Sequence, residues 1–153
     1  MQTTSSTVMT KPAEILLVED NPGDVRLTRE ALKEAQIKSR LHVVSDGVEA
    51  LDFLRRRGAH ARAPAPDIIL LDLNLPRLDG KEVLAEIKAD PMLRRIPTIV
   101  LSTSRADEDV AQAYDLHANC YVSKPIDMDE FIETIKQIDG FWLATVTRPG
   151  DGI

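Results

Sequence analysis

Five positions that could do chemistry share one local setting, in that each closes a short apolar run. Glu19 and Asp20 follow Ile15-Leu16-Leu17-Val18, Asp72 follows Ile68-Ile69-Leu70-Leu71, Ser102 follows Ile99-Val100-Leu101, and Lys124 comes shortly after Tyr121-Val122. Three carboxylates brought together repel one another unless a hard cation offsets them. Oxygen-only ligands suit Mg²⁺, which keeps several waters and often shares its shell with a phosphoryl group. On that reading Asp72 can bind metal and also present a free oxygen to an electrophilic phosphorus.

The elements that must position these groups alternate along the chain. Glu14 to Val18 reads as a buried strand, Leu41 to Val44 as a second, Asp67 to Leu71 as a third that is apolar on both faces, Thr98 to Leu101 as a fourth, and Cys120 to Val122 as a short fifth. Segments of helical period lie between them. Asn21-Pro22 is a helix start, with Asn as cap and Pro in the first position, and Val25, Thr28, Leu32 and Ala35 share a face. Val48, Leu51 and Leu54 mark a second helix that ends in Arg55-Arg56-Arg57 before Gly58, a basic run that complements the helix dipole. Val83, Leu84 and Ile87 give a third, and Val110, Ala113 and His117 outline a weaker fourth. Met128, Phe131, Ile132, Ile135 and Ile138 form the strongest amphipathic stripe, ending at Gly140. Strand and helix alternate five times, which argues for an α/β fold with a parallel sheet between two helical layers. In such sheets ligands gather at the carboxyl ends of the strands, where all five candidate residues fall.

Composition narrows the function. The 153 residues, 43% hydrophobic and 29% charged, suffice for one domain with a core plus tails. A net charge of −6, with no helix-length basic face, argues against nucleic-acid binding. Cys120 is the single cysteine, no signal-peptide segment opens the chain, and no apolar run is long enough to span a bilayer, so a cytoplasmic setting is expected.

Four motifs together resemble the receiver domains of two-component response regulators: LLVED (Leu16 to Asp20), LLDLNLPRLDG (Leu70 to Gly80), VLS (Val100 to Ser102) and YVSKP (Tyr121 to Pro125), within a match from about Glu14 to Gly140. The resemblance implies a doubly wound (βα)5 three-layer sandwich with the flavodoxin-like strand order 2-1-3-4-5. It also implies phosphoryl transfer from a histidine kinase to Asp72. Mg²⁺, with Mn²⁺ as a substitute, would be bound by Asp20, Asp72 and the backbone carbonyl of Asn74, with Glu19 acting through water. Lys124, before a cis Pro125, would pair with the phosphoryl group. Ser102 would hydrogen-bond it, and Tyr121 would swing inward as the switch partner. Ser102 stands where Thr is more frequent, and its spacing from Asp72 favours it over Thr103.

The NPGD turn, the lengthened region before Asp72, the stretch Tyr114 to Tyr121 and the FWL segment are similar to the single-domain regulators of bacterial and cyanobacterial phytochromes. That narrower resemblance implies a light-regulated histidine kinase as partner and a homodimer formed through the fourth helix, fifth strand and fifth helix. Phe141, Trp142 and Leu143 lie beyond the minimal domain and either fold back on it or join an interface. The expected organisation is a flexible tail over 1–12, a receiver over 13–140 and an apolar extension over 141–153, with no room for an output domain. A doubly wound fold could also bind a flavin or nucleotide, but the acidic turn Glu19-Asp20-Asn21-Pro22 would repel phosphate in the absence of metal and offers no Gly-rich cradle. A phosphatase of the haloacid dehalogenase type also uses an Asp nucleophile with Mg²⁺, but Asn74 replaces its second acid. A receiver-shaped interaction protein could also work unphosphorylated. In neither receiver reading is the chain a conventional enzyme.

Overall fold

A computed structural model describes residues 12–75, 79–102, 120–124 and 127–138. The strands β1 (Ala13–Val18), β2 (Ser39–Val44), β3 (Ile68–Asp72), β4 (Thr98–Ser102) and β5 (Cys120–Ser123) form one sheet in the order β2-β1-β3-β4-β5, and every pairing is parallel. The doubly wound arrangement with order 2-1-3-4-5 is therefore present. The helices of the described residues are α1 (Pro22–Glu34), α2 (Gly47–Leu54), α3 (Gly80–Ala89) and α4 (Met128–Ile138). The helix expected through Val110, Ala113 and His117 lies outside the described residues, as do Pro125, Gly140, the 141–153 extension and all but the last residue of the 1–12 tail. So do the side chains of Cys120 and Tyr121.

Side-chain alternation along the strands divides the core. Leu16, Val18, Ile69, Leu71 and Val100 pack on one face against Ala50, Leu51 and Phe53 of α2 and Val83, Leu84 and Ile87 of α3. Ile15, Leu17, Ile68, Leu70, Ile99, Leu101 and Val122 pack on the other against Ala31 and Leu32 of α1 and Phe131 and Ile135 of α4. Of the stripe from Met128, Phe131 and Ile135 are buried and Met128 and Ile132 lie at its margin, while the side chain of Ile138 lies outside the described residues. β3 is buried from Ile68 to Asp72, at the centre of the sheet. Each aliphatic side chain buried there contributes roughly 1.5–3 kcal/mol. Four of them outweigh the several kcal/mol that withdrawing one carboxylate from water costs.

Local sequence accounts for the helix starts. Asn21 Oδ1 accepts from the N–H groups of Gly23 and Asp24 at 2.8 and 3.1 Å, as the Asn-Pro pair predicts. Asp46, read from sequence only as a break, is the cap of α2. Its Oδ1 accepts from the Glu49 N–H at 2.8 Å, while Glu49 Oε1 accepts from the Ser45 N–H at 3.0 Å. Asp79 and Asp127 cap α3 and α4 in the same way.

The helix ends depart from expectation. α2 stops at Leu54 with Arg55 as its C-cap, so the three arginines follow its last turn instead of forming it. Arg55 instead reaches Glu86 of α3 at 2.8 Å. Arg56 takes the left-handed conformation at φ 54°, and the Arg56 and Arg57 N–H groups donate to the Phe53 and Asp52 carbonyls at 3.2 and 2.8 Å. This is the closing motif that usually uses glycine. α1 ends alike, with Gln36 at φ 59°. Val48 also differs, being 37% exposed. The buried stripe runs through Gly47, Ala50, Leu51 and Leu54, at the spacing of one helix face, which leaves Val48 to one side. Because a non-glycine residue pays a steric cost in the left-handed region, Arg56→Gly should raise stability by about 0.5–1 kcal/mol, read as a higher urea midpoint with unchanged slope.

Candidate functional site

Parallel pairing carries one residue past each strand end and so fixes where the chemical groups begin. The Glu19 N–H donates to the Val44 carbonyl at 3.0 Å, the Leu73 N–H to Leu101 at 2.8 Å, and the Lys124 N–H to Ser102 at 2.8 Å. The register pairs Val18 with Leu71 and Asp72 with Leu101, which sets Glu19 beside Asp72 on neighbouring strands about 4.8 Å apart. A further constraint comes from Gly80, where α3 begins against the backbone that follows β3. A Cβ there would lie 2.5 Å from Leu73 Cα and closer still to the Asp72 carbonyl oxygen. Only glycine lets the helix approach the strand end so closely.

The result is a compact polar cluster. Carboxylate oxygens of Glu19, Asp20 and Asp72 all lie within 4.8 Å of one another, Glu19 and Asp72 being buried and Asp20 exposed. Lys124 Nζ is 2.7 Å from Glu19 Oε1, 2.8 Å from Asp24 Oδ2 and 3.2 Å from Asp72 Oδ2. Asp72 Oδ1 accepts from the Asn74 N–H at 2.9 Å, and Glu19 Oε2 from the Asn21 N–H at 3.2 Å. Ser102 is fully buried at the end of β4, one residue past the partner of Asp72. It joins Lys124 through its carbonyl. The structure thus gathers the predicted Glu19, Asp20, Asp72 and Lys124, with Ser102 on the adjoining strand and Asn74 bonded to Asp72.

Asp24 was not singled out by sequence reasoning. The signal was the turn Asn21-Pro22-Gly23-Asp24, which starts a helix right after Glu19-Asp20 and so returns a fourth carboxylate to the same strand end.

Electrostatics follow from burial. Withdrawal from water, reinforced by the charge of Asp72 and opposed by the hydrogen bond from Lys124, pushes the Glu19 carboxyl from 4.5 up to about 7. Burial works against the charged Lys124, but hydrogen bonds to Asp24 and Glu19 and the charge of Asp72 outweigh it and raise its pKa. Among the described residues, one ammonium stands among four carboxyl groups. That anionic excess, made of hard oxygen donors, fits a divalent cation of the Mg²⁺ type.

Since folded Glu19 holds its proton more tightly than the unfolded chain, the stability it contributes is present below about pH 4.5 and lost as pH rises through about 7. With EDTA present, thermal melts of the wild type should lose several degrees across that window. Glu19→Gln should lack this part of the slope, and parallel curves for the two proteins would contradict the assignment.

Residues 15–136 match the response regulator receiver domain. Response regulator Rcp1 of Synechocystis sp. is 48% identical over 138 residues, which cover 90% of this chain and 94% of that protein. The solved structure of the Mn(2+)-bound form of Rcp1 superposes with a TM-score of 0.76 at 47% identity, covering 88% of this chain and 96% of that one. The phosphorylated cyanobacterial phytochrome response regulator RcpA gives a TM-score of 0.77 at 50% identity, with the same coverages of 88% and 96%. These similarities support the receiver reading and not the phosphatase one. The parallel sheet that ends in Glu19, Asp20, Asp72 and Lys124, together with the family match over most of its length, makes this chain a member of the response regulator receiver family.

Proposed function

We propose that this chain accepts a phosphoryl group on Asp72 from a histidine kinase and signals through the surface that the modification changes. The observation that carries this reading is the Asp72 carboxylate, buried at the end of the central strand, inside a group of three carboxylates and 3.2 Å from Lys124 Nζ. Asp72 Oδ2 is the acceptor oxygen. As it bonds to phosphorus, the bond from phosphorus to the kinase histidine nitrogen breaks, and that electron pair stays with the ring. Lys124 then faces the phosphoryl oxygens and balances their charge. Mg²⁺, or Mn²⁺ in its place, would be held by Asp20, Asp72 and the Asn74 carbonyl with Glu19 acting through water, and would supply positive charge opposite the same oxygens. That Rcp1 has a Mn(2+)-bound form supports a divalent cation at this site.

The Ser102 hydroxyl donates to a phosphoryl oxygen that exists only after transfer, and so couples the event to β4 and, with Tyr121, to β5. The responding surface comprises the helix expected through Val110, Ala113 and His117, together with β5 and α4. It serves self-association into a homodimer, to which Phe141, Trp142 and Leu143 of the 141–153 extension contribute beyond the 13–140 receiver unit. The kinase is of the phytochrome type, a reading supported by the similarity to RcpA. The setting is cytoplasmic. Among the described residues no helix is long and apolar enough to cross a membrane. The chemistry of the chain is confined to gaining and losing its own phosphoryl group.

Intact mass after incubation with acetyl phosphate and Mg²⁺ tests the central step. Wild type should gain one phosphoryl group, and the gain should vanish with chelator and in Asp72→Asn. A label that survives in Asp72→Asn would move the acceptor elsewhere. Truncation after Gly140 should convert a sedimenting dimer to monomer, whereas an unchanged dimer would remove the extension from the interface.

A further inference from the structure

We propose that Asp24 is a positioning residue for Lys124, fixing the ammonium so that one of its N–H groups stays aimed at Asp72 and at whatever that carboxylate carries. The inference rests on Asp72 being the phosphoacceptor. An ammonium has three N–H donors, and here each has a carboxylate oxygen: Glu19 at 2.7 Å, Asp24 at 2.8 Å and Asp72 at 3.2 Å. The two shorter contacts go to groups that take no phosphoryl group. The longest and weakest goes to the one that does. Two anchors therefore hold the cation while the third donor works, and it can pass from Asp72 to a phosphoryl oxygen without either anchor letting go.

Asp24 is built for an anchor. Its N–H donates to Asn21 Oδ1 at 3.1 Å and its carbonyl accepts from Thr28 Oγ1 at 2.9 Å, Thr28 being fully buried, so its backbone is fixed on both sides. Its side chain is 20% exposed where that of Lys124 is 4% exposed, so it reaches inward from the rim of the site. It stands apart from the Glu19, Asp20 and Asp72 group whose oxygens converge. The same Asn-Pro cap that starts α1 thus also places the second anchor.

Positioning and bulk charge predict opposite signs. Removing a negative charge near an anion site should strengthen anion binding by field alone. Losing an anchor should weaken it, because Lys124 is no longer held in place. The probe is beryllofluoride, a phosphoryl mimic, titrated in Mg²⁺ into the full chain and followed by calorimetry. Asp24→Ala should bind it about five-fold more weakly, the scale of one partly exposed ion pair. Asp24→Asn, which keeps an acceptor oxygen without the charge, should recover at least half of that loss. Asp24→Ser, too short to reach the ammonium, should repeat the loss and stands in if Asp24→Ala melts early. In a Lys124→Ala background the Asp24→Ala change should add nothing.

Binding by Asp24→Ala as tight as wild type or tighter, or an undiminished loss without Lys124, would overturn the positioning role. If wild type itself binds no beryllofluoride, the phosphoacceptor reading falls and this inference falls with it. Wild-type binding beside an unaffected Asp24→Ala removes this inference alone.

Discussion

The buried ammonium of Lys124 is the interaction on which the rest of the site depends. It bonds Glu19, 105 residues away along the chain, and in the same place meets Asp24 and Asp72. Desolvating any one of these ions costs several kcal/mol, and leaving a buried carboxylate without its cation costs more than an exposed pair could return. The cluster is therefore stable only when all its parts are delivered together. Delivery requires β1, β3 and the segment after β5 to end at one level, and the parallel ladders provide it by carrying Glu19 and Lys124 one residue past their strands.

The sheet order explains why so few residues suffice. β1 and β3 are neighbours, with β2 outside β1 and β4 outside β3. The chain leaving β1 therefore enters α1 on one face, and the chain leaving β3 enters α3 on the other. Glu19, Asp20 and Asp72 are left in the gap between the two exits, the point at which the winding reverses. α1 returns Asp24 to that gap within its first turn. α3 is drawn close by Gly80, whose missing side chain leaves room for the backbone of Asp72 and Leu73. A larger residue would have to push aside backbone rather than a flexible side chain, so the position of Asp72 and the helix's approach are one constraint.

What the sequence disclosed and what it withheld divide along physical lines. Apolar runs closed by a charged residue were legible because burial of a strand is a local pattern, and so the strand ends and the Glu19, Asp20, Asp72 and Lys124 set could be read, whereas the strand order came only with the family resemblance. Asn21-Pro22 was legible because capping uses adjacent residues. The end of α2 was not, since Arg56 takes a backbone conformation that glycine normally signals, and tertiary packing overrides that preference. The exposure of Val48 turns on the phase of an eight-residue helix, in which a shift of one position moves a side chain off the buried face. Asp24 was missed because its partner is distant in sequence, and a carboxylate in a first helical turn has an ordinary explanation in the helix dipole.

The balance of charge within the cluster also governs how firmly Asp72 is tied to its cation. Among the described residues one ammonium does not neutralise four carboxyl groups, and burial, reinforced by the charge of Asp72, raises the Glu19 pKa to about 7. A site with more cations would hold Asp72 more firmly. A site with fewer would not keep Asp72 buried. The contact between Lys124 and Asp72, at 3.2 Å, is longer than the two beside it. Asp72 is held in place by the backbone N–H of Asn74 and by the strand that bears it, so its position does not depend on the cation alone.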